Sequence, residues 1–128
     1  MLSLRLATVA AVLLFAFACS DSSNPSTSPS PTATPAPGAP SSSITIPVGA
    51  QSLGNRAYVP AELNVAIGTT VTWMNGDSIS HTSTSNAAGW DSGIVAPGGQ
   101  FSFVFQNLGT FPYHCAIHPG MVGSVVVR

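Results

Sequence analysis

Gly109-Thr110-Phe111-Pro112-Tyr113-His114-Cys115-Ala116-Ile117-His118-Pro119-Gly120-Met121 carries two signals in one run. Up to Cys115 it reads as a strand. Side chains on a strand alternate between faces, so Phe111, Tyr113 and Cys115 share one face while His114 points the other way. Beyond Cys115 the chain must turn, and Pro119-Gly120 marks the turn. A His and a Met follow the Cys at three-residue intervals, so a thiolate, an imidazole and a thioether crowd one tight loop.

Singly these residues say little, because a His in a polar loop is usually solvated and a Met near a strand is usually core. Together they specify a soft metal. Sulfur from Cys and Met suits copper, and two His with a Cys and a weak axial Met form a trigonal copper set. Zinc is the competing metal, but structural zinc prefers further Cys or His and gains little from Met. The loop supplies one ligand His, and the chain has only three His residues. His81, upstream in a turn-rich segment, is the natural fourth ligand beside Cys115, His118 and Met121.

Working outward, short alternating runs separated by Gly, Pro and Asn fill the chain from Ser43 to Arg128, and no segment sustains a helical period. Ile44, Ile46 and Val48 read as a first strand, and Leu63 with Val65 as a second. Gly68-Thr69 turns into Val71-Thr72-Trp73, Pro97-Gly98-Gly99 precedes Phe101, Phe103 and Phe105, and Gly123 to Val127 closes the chain. The expectation is an all-β, antiparallel Greek-key sandwich over residues 43–128. The metal would sit at one end, between the loop after Trp73 and the loop after Cys115.

The remainder of the 128 residues reads as export and spacing. Arg5 precedes an apolar run from Leu6 to Ala18, too short for a membrane span but suited to a signal peptide over residues 1–19. Ala16-Phe17-Ala18 fits ordinary cleavage, and Cys19 also partly fits a lipoprotein site, which would anchor the protein to a membrane. Residues 20–42 are a Ser/Thr/Pro tract without large apolar residues, expected to be a disordered linker reaching roughly 25 to 70 Å. The expected location is periplasmic or extracellular. Cys115 is then the lone thiol of the domain, which in an oxidising compartment favours metal ligation. The chain has no Lys, and its domain carries only Arg56, Arg128, Glu62, Asp77 and Asp91. Nucleic acid is excluded as a partner, and docking should be apolar.

The residues also carry a resemblance. Gly109 to Cys115 is similar to the G-T-[FY]-x-[FY]-x-C strand of the cupredoxins, the small blue copper proteins of the plastocyanin, pseudoazurin and amicyanin group. Cys115-x-x-His118-x-x-Met121 resembles their short ligand loop, and Pro60 to Val65, Gly68 to Asn75 and Trp90 to Gly93 are similar to other segments of bacterial members. The resemblance implies one type 1 copper per domain, with His81 and His118 as equatorial imidazoles, Cys115 as the short thiolate bond and Met121 as the long axial contact. It implies a single-electron carrier, not an enzyme, acting as a monomer between redox partner proteins. They would dock on the apolar rim of Ile117, Pro119 and Gly120 around His118. Two positions depart from the pattern. Thr82 stands where plastocyanins often have Asn, although its hydroxyl could link the two ligand loops. His114 replaces an outward Tyr, and a His-Cys pair resembles the bridge to a second copper in copper enzymes. The alternatives are a copper buffer or delivery protein, and a copper-enzyme subunit using His114.

Overall fold

The computed structural model describes residues 40–128. The expected signal segment, Cys19 and the linker up to residue 39 lie outside the described residues. Seven strands form two sheets: β1 (Ser41–Ile46), β2 (Glu62–Val65), β3 (Thr70–Asn75), β4 (Thr84–Ser85), β5 (Gln100–Val104), β6 (Gly109–His114) and β7 (Val122–Val127). One sheet has the order β1-β3-β5 and the other β2-β7-β6-β4. The all-β Greek-key sandwich expected from the alternation is the fold found.

Its pairing is not purely antiparallel. β1 runs parallel to β3 and β2 parallel to β7, while β3–β5, β4–β6 and β6–β7 are antiparallel. The reason is the winding. From β1 to β6 successive strands fall in opposite sheets, so most neighbours in a sheet are not neighbours in sequence, and a crossing connection leaves strand direction free. Only β6 and β7 are consecutive in both senses.

Two boundaries shift. β1 begins at Ser41, before the expected domain start at Ser43, and Thr70 N–H donates to the Pro40 carbonyl at 2.9 Å. These serines are held by backbone pairing to β3, which needs no apolar side chain. At its other end β1 stops at Ile46, and Val48, expected inside the strand, is 75% exposed. Pro47 and the left-handed Gly49 (φ 75°) turn the chain away into a short 3-10 turn at Ala50–Ser52.

Between the sheets lies an aromatic core. Ile44 and Ile46 of β1, Val71 and Trp73 of β3, Tyr113 of β6 and Val125 of β7 are completely buried, with Phe105 beside them. Trp73 is its centre, with ring centroids 5.4 Å from Tyr113, 5.6 Å from Trp90 and 5.8 Å from Phe101. Burying each such ring contributes about 1.5–3 kcal/mol. Tyr113 and Cys115 are both buried, as the alternation predicts, so the core places the thiol at the end of β6.

Candidate metal centre

β6 delivers Cys115 to one pole of the sandwich and β7 leaves from it. Between them, Cys115 N–H donates to the Met121 carbonyl at 3.1 Å, and Met121 N–H donates to the His118 carbonyl at 2.9 Å. The first bond continues the β6–β7 ladder by one rung and brings Cys115 opposite Met121; the second closes the turn that carries His118. Cys115 and Met121 are fully buried, and His118 is half-buried.

His81 arrives from the segment between β3 and β4. Its backbone exchanges bonds with Val95 at 3.1 and 2.9 Å, fixing it on a two-residue ladder. Asn75, at the end of β3, shapes the approach. Its side-chain amide donates to the carbonyls of Ile79 (2.8 Å) and Val95 (2.9 Å) and accepts from Asp77 N–H (2.9 Å).

The two loops bring three donor atoms together. His81 Nδ1 and His118 Nδ1 are 3.3 Å apart, and Cys115 Sγ lies 3.7 Å from His118 Nδ1 and 4.0 Å from His81 Nδ1. A triangle with these sides has a point about 2.1 Å from all three corners, within the span of metal–imidazole and metal–thiolate bonds of about 2.0 to 2.3 Å. The residues therefore fit a metal ion, and a single thiolate with two imidazoles fits copper. Among the described residues this trio is the one cluster of His, Cys, Asp and Glu able to hold a metal.

Around the trio lies a hydrogen-bonded cage. Thr82 is its hub: its N–H donates to Cys115 Sγ at 3.3 Å, its hydroxyl oxygen accepts from Ala116 N–H at 2.7 Å, and its carbonyl accepts from the Tyr58 hydroxyl at 2.6 Å. Thr82 does link the two ligand loops through its hydroxyl. Burial, with the nearby Cys115 sulfur, pushes the Tyr58 hydroxyl well above its ordinary range, so it remains a neutral donor. Behind His81, Asp77 Oδ2 lies 3.0 Å from Nε2. The His81 bond and neighbouring backbone N–H groups hold the Asp77 carboxyl down at about 2.

Asp77, Asn75 and Tyr58 were not singled out from the sequence. A carboxylate four residues before a candidate ligand in a Gly/Ser turn was the available signal for Asp77; Tyr58 had none. His114 closes β6 on the opposite side from Cys115, paired with Thr84 and with Nδ1 2.6 Å from Asn86 Oδ1. It points outward as expected and stands outside the metal-capable cluster.

Comparison with known proteins bears on the same region. A family model for copper binding proteins of the plastocyanin/azurin family matches residues 45–128. Amicyanin of Paracoccus denitrificans is 34% identical over 76 residues, 56% of this chain and 58% of that relative, so the match spans less than two thirds of the relative's length. Plastocyanin of Scenedesmus fuscus is 29% identical over 98 residues, 66% of this chain and 99% of the relative. Among solved structures, a purple cupredoxin from Nitrosopumilus maritimus is similar with a TM-score of 0.63 at 35% identity, covering 68% of this chain and 99% of that one. The family match takes in nearly the whole sandwich together with its metal pole, and the chain belongs to the plastocyanin/azurin family of copper binding proteins, the cupredoxins.

Proposed function

We propose that this chain is a mononuclear type 1 copper electron carrier, in which the imidazoles of His81 and His118, the thiolate of Cys115 and the thioether of Met121 would hold the metal. The triangle of His81 Nδ1, His118 Nδ1 and Cys115 Sγ, with sides of 3.3 to 4.0 Å, carries the reading. Copper bound there supplies a one-electron couple compatible with the same soft donor set in both oxidation states.

The protein's part is to hold the donors still. Cys115 is fixed by the ladder to Met121 and by Thr82 N–H on its sulfur, a bond that draws density from the thiolate. His81 is fixed through its other ring nitrogen and its backbone bonds to Val95. Such a cage lowers the rearrangement that accompanies a change of charge. Held by four protein donors, the metal would keep no open position for a substrate, which supports a carrier over an enzyme.

His118 is the most accessible of the three clustered donors, and Ile117 (44% exposed), Pro119 and Gly120 surround it. Redox partners dock on this apolar rim, and the monomer exchanges electrons through His118. The signal-like N-terminal sequence and the Ser/Thr/Pro composition that follows it support a location in the periplasm or outside the cell. A lipidated Cys19 would add a membrane tether.

A copper-delivery protein gives up its metal readily; a carrier does not. With the full chain loaded with Cu(II), a carrier cycles reversibly between oxidation states and retains copper against excess chelator. Rapid transfer of copper to the chelator, with no reversible couple, would replace the carrier reading by the delivery one.

A further inference from the structure

We infer that Asp77 is a positioning residue that sets the electron affinity of the centre: its carboxylate orients His81 through Nε2, and its charge favours the oxidised metal over the reduced. The inference rests on the ligand reading above. Asp77 is 5% exposed, an unusual place for a carboxylate in a chain with four acidic residues in all. Oδ2 faces His81 Nε2 at 3.0 Å and accepts from Ala50 N–H at 3.2 Å, while Oδ1 accepts from Ser78 N–H at 2.7 Å. With backbone N–H groups on both oxygens, the carboxylate is an acceptor throughout, and His81 is its ionisable partner.

Two consequences follow from this placement. With the proton held on Nε2, the lone pair on His81 Nδ1 is left facing Cys115 Sγ and His118 Nδ1, and the imidazole is a stronger donor. Next, copper carries one more positive charge when oxidised, so a fixed negative charge one imidazole ring away stabilises that state more. Both effects lower the potential. Scaffolding alone would not, because the bonds from Ala50 and Ser78 N–H hold the loop in place without distinguishing the two oxidation states of the metal.

Asp77→Asn separates the two, since it keeps the shape and an acceptor oxygen but removes the charge. In the full chain loaded with copper, wild type and variant both show the intense thiolate-to-copper band, and the midpoint potential of the variant is higher. The expected shift is at least tenfold in the Cu(I):Cu(II) ratio at a fixed electrode potential, about 59 mV for one electron. A band present in both with an equal or lower variant potential overturns this inference alone; a band missing from the wild type overturns the ligand assignment and this inference with it. If the variant does not fold, the copper-free wild type decides. Its imidazole 15N–1H correlations should show His81 protonated on Nε2 and bare on Nδ1, and a proton on Nδ1 overturns the inference.

Discussion

The aromatic core and the metal pole are built from opposite materials. Trp73, Tyr113, Phe105 and the aliphatic residues around them meet by burial of apolar surface, whereas six of the eight buried polar residues among the described residues, Asn75, Asp77, His81, Thr82, Ser83 and Ser85, lie on the segment from the end of β3 to β4. Apolar burial is non-directional and tolerates approximate fit; hydrogen bonds fix direction. The core therefore supplies stability and a platform, and the pole supplies aim. Substitutions in the two regions should separate these properties.

The largest effect is expected in the core. Trp73→Ala removes the ring that touches Tyr113, Trp90, Phe101 and Phe105, and should cost about 3–5 kcal/mol of unfolding free energy in urea, with or without copper. A loss under about 1 kcal/mol would mean that the rings are not the platform. Next comes Asn75→Ala, which leaves the carbonyls of Ile79 and Val95 without this donor and frees the Asp77 amide. It should cost about 1–3 kcal/mol, yet copper retention against a chelator should suffer more than it does in Trp73→Ala. Equal retention in the two variants would erase the distinction between platform and aim.

Tyr58→Phe is a finer probe. It deletes only the hydroxyl donating to the Thr82 carbonyl, and should cost about 0.5–1.5 kcal/mol while shifting the thiolate-to-copper band through Thr82 N–H. A band identical to wild type would disconnect Tyr58 from the centre. The smallest effect is one of pH on the copper-free protein. Asp77 is held at about 2 in the fold against 3.8 ordinarily, so between these values the unfolded chain binds the extra proton and stability rises with pH. Wild type should thus exceed Asp77→Asn in stability above about 4 and lose that margin as pH falls toward 2. Urea midpoints measured across this window check it, and a constant margin would contradict it.

The same division explains what could be read in the chain before its structure. Alternation marks the strands through Ile44, Trp73, Tyr113 and Val125 because one face of each must be apolar, and Cys115-x-x-His118-x-x-Met121 is visible because its donors are close in sequence. Ser41 and Ser42 extend β1 by backbone bonds that leave no trace in side-chain character, and the parallel pairing of β1 with β3 depends on a crossing connection through the other sheet. Asp77 and Tyr58 were hidden for a related reason. Each acts through one atom of another residue: Asp77 reaches Nε2 of His81 only through the turn between them, and Tyr58 reaches the Thr82 carbonyl only once two distant segments have met.

The ligand set has one direct readout, the visible spectrum of the full chain titrated with Cu(II). Wild type should develop an intense thiolate-to-copper charge-transfer band that saturates at one copper per chain and vanishes in Cys115→Ala. A colourless or weakly coloured copper complex, or a band that survives Cys115→Ala, would contradict a type 1 centre built on His81, Cys115, His118 and Met121.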